Sequence, residues 1–261
     1  MQINYYKEYS HSLGRDMEFK TYGRPGGKLC FAFPPQDGRF FDFENFGMVN
    51  ELEPWINSGA IMLVTVDSID PETWSDMGGD PRRRIERHEQ WYHYVVDELF
   101  PRAVDLSGTY GRKALITGCS MGAVHSGNFF FRRPDLFDTL VGLSGLYTAK
   151  YFFGDYMDDL VYNNSPVHFL RNMPPDHFYM DLYRNSRIIC CVGQGAWEEE
   201  LLEGTRELQG VLDYKGIPAW IDYWGTDVSH DWYWWKRQIV YFFDKLNLFG
   251  SRDPFFDGGG I

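Results

Sequence analysis

The chain has 261 residues, 44% of them hydrophobic and 24% charged, which suits one large globular domain and excludes a disordered, collagen-like or coiled-coil protein. Its 25 basic and 37 acidic side chains give a net charge of −12, so nucleic acid and anionic membranes are poor partners. No apolar run is long enough to predict a membrane-spanning helix.

The first residues and the cysteines predict a cytoplasmic location. Residues 1–16 alternate polar and aromatic side chains and lack the apolar stretch of a signal peptide. The four cysteines lie in apolar runs, where free cysteine behaves as a small buried hydrophobe, and they do not resemble a disulfide framework. We therefore expect a protein of a reducing compartment.

The first predicted element is an antiparallel hairpin over residues 4–22, where aromatic and polar residues alternate on either side of a break at 12–16. After it, apolar runs predict strands, and apolar residues at helical spacing predict helices. In chain order these are a strand at 28–33, a helix at 43–56, a strand at 61–66, a helix at 81–104, a strand at 114–117, a helix at 121–132, strands at 140–143 and 187–192, a helix at 198–215, a strand at 219–224 and a helix at 232–248.

The alternation of strands and helices predicts an α/β fold with a mostly parallel eight-stranded sheet, helices on both faces and the antiparallel hairpin at one edge. We expect a single domain over residues 1–250 and a C-terminal tail at 251–261. Residues 147–185 break the alternation, since they hold many aromatic residues and prolines but no strand pattern. An insertion of this length is typical of a lid or pocket wall, and the alternative is a surface excursion of short helices.

One motif indicates nucleophilic chemistry. Residues Gly118 to Gly122 read G-C-S-M-G, a G-x-S-x-G pattern between a predicted strand and a predicted helix, which is the setting of a nucleophile elbow. The two glycines leave room for the crossing strand and helix, and the helix start directs free N–H groups at the site. The pattern predicts Ser120 as a nucleophile, and the alternative is an unreactive Gly-Ser turn.

A serine nucleophile needs a general base, and the chain offers seven histidines. In this architecture the chain order is serine, acid, histidine, and His230 is the histidine that follows the last predicted strand, on a loop before the final helix. His125 lies on the helix after the elbow, and His168 and His177 lie in the insertion. We predict His230 as the base, and the alternative for it is a helix-capping or surface role.

The acid that orients His230 should follow the strand at 187–192, where three consecutive glutamates stand at the start of a predicted helix. Glu198 is the first choice because it ends the turn, and Glu199 is the runner-up. The alternative for these acids is a favourable interaction with the helix dipole. Asp227, close to His230 in sequence, is a further candidate.

The oxyanion hole is predicted to use two backbone N–H groups. The first is that of Met121, directly after the nucleophile. The second should come from the loop after the strand at 28–33, where Pro34 and Pro35 have no N–H group to donate. The donor is therefore expected from Gln36 or Asp37, with Gln36 preferred.

No metal and no cofactor is expected. His88 and His93 look like a zinc-binding pair, but their i, i+5 spacing turns the imidazoles to different faces of a helix. The chain also lacks a glycine-rich nucleotide-binding pattern after a strand.

Further motifs stand at 38–41 with 47–48, 66–68 with Trp74, 118–122, 133–137, 144–145, 193–198, 215–218 and 230–232. Together they resemble the putative esterase family of α/β-hydrolases, which includes feruloyl esterases, S-formylglutathione hydrolases and mycolyltransferases. The resemblance spans residues 28–248 and is strongest from 215 to 232. It implies an eight-stranded α/β-hydrolase fold and a triad of Ser120, Glu198 and His230. The acid of the family is often Asp, and its usual His-Gly before the oxyanion loop is replaced here by Pro34-Pro35.

These observations predict a serine carboxylesterase that forms an acyl-enzyme. The substrate is expected to be a small-molecule ester, aromatic or carbohydrate-linked, and the candidate pocket residues are Trp74, Tyr147 and Trp197. The alternatives are an acyltransferase or thioesterase with the same triad, and a catalytically silent binding protein on the same scaffold. The sequence leaves a homo-oligomer open.

Overall fold

The computed structural model describes residues 1–248, and within them eight strands form one sheet in the order β1-β2-β4-β3-β5-β6-β7-β8. The mostly parallel sheet with an antiparallel N-terminal hairpin is confirmed. The expected tail at 251–261 lies outside the described residues. The strands are β1 (Ile3–Ser10), β2 (Arg15–Tyr22), β3 (Lys28–Phe33), β4 (Ile61–Val66), β5 (Ala114–Cys119), β6 (Phe137–Leu143), β7 (Arg187–Val192) and β8 (Trp220–Tyr223).

The hairpin and the central strands differ in burial in the way that their patterns predict. Side chains of β1 alternate between exposed and half-buried, and β1 pairs antiparallel with β2, which pairs antiparallel with β4. From β4 through β3 to β8 the pairs are parallel, and β4 and β5 are buried at every residue. Such continuous apolar runs suit strands with both faces covered.

Helices cover both faces of the sheet. They are α1 (Asp42–Asn45), α2 (Met48–Glu51), α3 (Glu53–Ser58), α4 (Pro81–His93), α5 (Phe100–Ser107), α6 (Met121–Arg132), α7 (Lys150–Phe153), α8 (Asp159–Asn163), α9 (Pro166–Asn172), α10 (Tyr179–Arg184), α11 (Glu199–Lys215) and α12 (Trp232–Lys245). A π-helical segment (Tyr94–Leu99) joins α4 to α5, and a 3₁₀ turn (Asp70–Glu72) follows β4.

Two predicted helices differ substantially from the structure, and the last one, predicted at 232–248, ends at Lys245. The predicted helix at 43–56 was wrong as one element. Gly47 adopts a left-handed conformation with φ of 79° and separates α1 from α2, and a second break at Leu52 separates α2 from α3. The predicted helix at 81–104 continues to Ser107 and widens into the π-helical segment. Pro101, just beyond that segment, has no N–H group for a regular helical hydrogen bond.

The insertion at 147–185 folds into four short helices, α7 to α10, with no strand between them. Its first helix reaches the carboxyl edge of the sheet, where Phe152 and Phe153 pack with Met121 and Val124 of α6. Within residues 1–248, no helix is both long and apolar enough to cross a membrane.

Candidate active site

The side chains singled out by the sequence lie at the carboxyl edge of the parallel strands. In an open α/β sheet the loops at this edge converge, because parallel strands all end on the same side. Five loops contribute here, and each begins where a strand ends. They are the loops after β3, β5, β6, β7 and β8, which carry Gln36, Ser120, Ser144, Glu198 and His230.

Ser120 occupies a sharp turn between β5 and α6. Its φ of 56° and ψ of −122° are a strained conformation for a residue with a side chain. A Cβ atom on Gly118 would lie 2.2 Å from the carbonyl oxygen of Gly122, and one on Gly122 would lie 2.1 Å from that of Phe33. The turn therefore requires glycine two residues before and two residues after the serine.

The structure brings His230 to Ser120. The Nε2 atom of His230 lies 2.8 Å from Ser120 Oγ, within hydrogen-bond distance. The ring of Trp235 packs edge-on against the imidazole, with the two ring centres 4.8 Å apart. Both rings are thereby held at one orientation beside the serine.

The loop that carries His230 is joined to the loop that follows β7. The backbone N–H of His230 donates to the carbonyl oxygen of Ala196 at 3.0 Å, and that of Gly195 donates to Val228 at 2.8 Å. A Cβ atom on Gly193 would lie 2.3 Å from the Val228 carbonyl oxygen, so the two loops approach too closely for any side chain there. These contacts fix the position of His230 relative to the loop after β7, which carries Glu198.

Glu198 is the carboxylate that faces His230. It is 1% exposed, and its Oε1 atom lies 3.5 Å from His230 Nδ1, just beyond a good hydrogen bond. Within the described residues, neither His230 Nδ1 nor Glu198 Oε2 has a hydrogen-bond partner. Glu199 and Asp227, the other two candidates, are exposed and form no ion pair with His230 in the described part of the chain.

A residue that sequence reasoning did not assign holds Glu198 in place. The Ser144 hydroxyl donates to Glu198 Oε1 at 2.7 Å and accepts from Trp235 Nε1 at 3.3 Å. Ser144 is fully buried and has a φ of 55°, which side chains rarely adopt. Its place in a Ser-Gly pair at the end of β6 was the signal that could have identified it.

The loop at residues 34–39, which we call the oxyanion loop, lies across from the start of α6. Gln36 is exposed and faces the same cavity as Ser120 and Met121. The backbone N–H of Asp37 donates to the Asp70 carboxylate at 3.2 Å, so it is already engaged. Of the two loop residues that the sequence left open, Gln36 is therefore the one consistent with a free donor.

A cavity of about 310 Å³ opens beside Ser120 and His230. Its inner wall is apolar and formed by buried side chains of α6 and the insertion, and its rim carries two exposed aromatic residues, Tyr151 and Trp197, together with the Glu200 carboxylate. Trp197 is 81% exposed and has a φ of 67°, so a strained backbone presents the indole at the rim. The remaining lining residues are Gln36, Met121, Val124, Leu146, Phe152 and Leu201.

Of the three predicted pocket residues, Trp197 lines the cavity, whereas Trp74 and Tyr147 do not. Trp74 is fully buried behind Phe152, with its Nε1 donating to His88 Nδ1 at 2.9 Å. Tyr147 is 1% exposed and packs in the main core against Gly142. The prediction was wrong for these two because an aromatic ring in a loop can fill the core as readily as it lines a pocket.

No group of three or more His, Cys, Asp or Glu side chains in residues 1–248 is arranged to hold a metal ion. His88 is buried between α4 and α6, while His93 is exposed and contacts Asp97 at 2.7 Å. The two histidines thus face different surroundings, as their i, i+5 spacing predicts.

A family model described as "Putative esterase" matches residues 10–245. A search of curated protein sequences finds no significant match.

Solved structures share the fold at low sequence identity. A ferulic acid esterase superposes with a TM-score of 0.72 at 16% identity, covering 92% of this chain and 95% of its own. An S-formylglutathione hydrolase from Agrobacterium tumefaciens gives 0.70 at 11% identity, with 93% of each chain covered. FphF, a fluorophosphonate-binding serine hydrolase of Staphylococcus aureus, gives 0.70 at 12% identity, covering 93% of this chain and 97% of its own. The fold is therefore that of the α/β-hydrolases.

Proposed function

The chain belongs to the putative esterase family of ester-bond hydrolases, and from that membership we propose that it is a serine carboxylesterase that forms an acyl-enzyme on Ser120. The observation that carries the proposal is the 2.8 Å contact between Ser120 Oγ and His230 Nε2 on a strained elbow. A hydroxyl in such a contact can lose its proton to the imidazole as it attacks a carbonyl carbon.

In the first half of the reaction, Ser120 Oγ bonds to the ester carbonyl carbon while its proton passes to His230 Nε2. The carbonyl oxygen becomes an oxyanion, and the bond to the alcohol breaks as His230 returns the proton to the leaving oxygen. The buried Glu198 carboxylate stabilises the imidazolium through Nδ1, and the 3.5 Å separation shortens when that nitrogen carries a positive charge.

The oxyanion requires N–H donors that are already in place. We assign these to the backbone N–H groups of Met121, at the start of α6, and of Gln36, in the oxyanion loop. Both residues line the cavity at Ser120, and the amide of the neighbouring Asp37 is engaged by Asp70. The positive end of the α6 dipole adds to the stabilisation.

In the second half, water replaces the alcohol. His230 takes a proton from the water, the hydroxide attacks the acyl carbon, and the proton then returns to Ser120 as the acid is released. Every proton is accounted for by the imidazole, so the scheme needs no metal and no cofactor.

The cavity indicates which esters fit. Its inner wall of Met121, Val124 and Phe152 suits an apolar acyl or alcohol group, and the exposed Tyr151 and Trp197 at the rim suit a flat ring. We therefore propose small neutral esters, aromatic or carbohydrate-linked, as substrates. The ferulic acid esterase among the structural neighbours is named for an ester of an aromatic acid.

The test is turnover of p-nitrophenyl acetate and butyrate by the wild type and by Ser120→Ala. The proposal predicts measurable hydrolysis that falls by at least about 10³-fold in the variant. Addition of alcohol acceptors and of a thioester substrate separates an acyltransferase or thioesterase from an esterase. Equal activity in the variant, or none in the wild type, would refute the proposed chemistry.

A further inference from the structure

A buried carboxylate outside the proposed triad touches both sides of the oxyanion site. Asp70, in the 3₁₀ turn after β4, is 1% exposed. Its Oδ2 atom accepts the backbone N–H of Asp37 at 3.2 Å, and its Oδ1 atom lies 2.7 Å from Nε2 of His125. One side chain thus connects the oxyanion loop with helix α6.

Each of these contacts lies next to a proposed oxyanion donor. Asp37 directly follows Gln36 in the loop. His125 lies four residues after Met121 on α6, so the two residues share one face of the helix. The separation between the two donors therefore depends on how the loop is held against this helix.

The surroundings make the connection rigid. His125 is fully buried, and its ring packs against Trp91 and Trp74 with centres 4.7 Å and 6.1 Å away. Asp37 has a φ of 58°, an uncommon backbone conformation that Asp tolerates better than most residues and that a hydrogen-bond partner stabilises. The Asp70 carboxylate supplies that partner from a side that water does not reach.

We propose that Asp70 is a positioning residue, which together with His125 sets the distance between the backbone donors of Gln36 and Met121. This inference rests on the proposed esterase function. A displacement of about 1 Å between catalytic groups can lower turnover on the order of a hundredfold, so such a connection would act on the transition state more than on substrate binding.

The test compares kcat and KM for p-nitrophenyl butyrate in Asp70→Ala and in a matched control, Glu89→Ala. Glu89 also holds α6 with a half-buried carboxylate, through Arg132 at 2.8 Å, but at the opposite end of the helix from the oxyanion loop. We expect Asp70→Ala to lower kcat by about tenfold to a hundredfold with KM within about threefold. We expect Glu89→Ala to lower stability and leave kcat within about twofold.

A second pair of variants covers the case in which Asp70→Ala does not fold. His125→Leu fills the volume but leaves Asp70 without its helix partner, whereas His125→Gln restores an N–H donor. We expect His125→Leu to lower kcat about tenfold and His125→Gln to recover most of it. The affinity for a trifluoromethyl ketone, whose adduct places an oxyanion in the same position, should fall in proportion to kcat/KM.

The outcomes separate this inference from the function on which it rests. A wild-type protein with no ester turnover would overturn both. Wild-type turnover with an unchanged kcat in Asp70→Ala and His125→Leu would overturn the positioning role alone. A kcat loss of equal size in Glu89→Ala would also overturn it, because the effect would then follow general destabilisation.

Discussion

The Nε2 atom of His230 lies 2.8 Å from the Oγ atom of Ser120, although 110 positions separate the two residues in the chain. Neither residue is placed by its own element alone. The serine is held on the β5–α6 turn by two glycines that admit no side chain, and the histidine is held by backbone hydrogen bonds to the loop after β7. The two side chains therefore meet because backbone segments pack closely at the carboxyl edge of the sheet.

Glu198 and Glu199 should differ sharply when each carboxylate is replaced by an amide. Glu198→Gln removes the charge that faces His230 and should lower kcat by about 10²- to 10⁴-fold with little change in KM. Glu199 is exposed on the first turn of α11, so Glu199→Gln should keep kcat within about twofold. Steady-state kinetics on both variants check the assignment, and a larger loss in Glu199→Gln would reverse it.

Ser144 should affect activity through Glu198. Ser144→Ala removes the hydroxyl that donates to Oε1 at 2.7 Å, and we expect kcat to fall about tenfold, the equivalent of one hydrogen bond to a charged group.

Ser144→Gly removes the same hydroxyl but relieves the backbone at a φ of 55°. We therefore expect it to match the alanine variant in kcat and to exceed it in resistance to urea. If the more stable variant instead had the higher kcat, the loss of activity would follow stability, and the hydroxyl would have no specific role.

The two glycines of the elbow should tolerate no side chain. A Cβ atom at Gly118 or Gly122 would lie 2.2 Å or 2.1 Å from a backbone oxygen, so either alanine variant should lose about 3 kcal/mol or more of unfolding free energy, or fail to fold. Gly210 in α11 is the matched control, since nothing lies within 4 Å of its added Cβ. Gly210→Ala should raise stability by up to about 1 kcal/mol, measured by urea unfolding. Normal stability in Gly122→Ala would contradict the described turn.

Stability should fall in acid because of His88. Burial, with a smaller electrostatic contribution from the neighbouring His125, lowers the pKa of His88 from 6.5 to about 3. Between these values the unfolded chain binds a proton that the folded chain does not, so stability is complete above about pH 6.5 and is lost as the pH falls toward 3. The slope from this one group reaches up to about 1.4 kcal/mol per pH unit.

Urea unfolding at several pH values between 4.5 and 7.5 measures this dependence. His88→Gln should flatten the acid slope, and His93→Gln, at an exposed position on the same helix, should leave it unchanged. Glu89 and Arg132 also act on the His88 ring, so the comparison uses slopes and not absolute stabilities. Parallel slopes in the wild type and His88→Gln would show that the histidine is not responsible.

Much of the fold could be predicted because many strands and helices are defined by the apolar pattern of their own residues. The strands at 28–33, 61–66 and 187–192 and the helix at 121–132 have the bounds that their apolar runs predict. The helix at 43–56 was wrong because the apolar spacing continues across Gly47 and Leu52, where the backbone interrupts the helix.

Residues of the candidate site could be predicted where they stand in a sequence motif or at a characteristic place in the chain. Residues that reach the site only through tertiary contacts could not. Ser120 stands in a recognisable pentapeptide, and His230 follows the last strand. Ser144 and Asp70 act through contacts across 54 and 55 positions, which no local pattern encodes. Trp74 was assigned to the pocket wrongly, because an aromatic residue in a loop can pack in the core or line a pocket, and the sequence does not distinguish the two.

The most direct test of the account is covalent labelling of the wild-type protein with a fluorophosphonate, measured by intact mass and peptide mapping. The account predicts one adduct per chain, located on Ser120, with labelling lost in Ser120→Ala and strongly slowed in His230→Ala. The absence of an adduct on the folded protein, or an adduct on another residue, would contradict an activated nucleophile at Ser120.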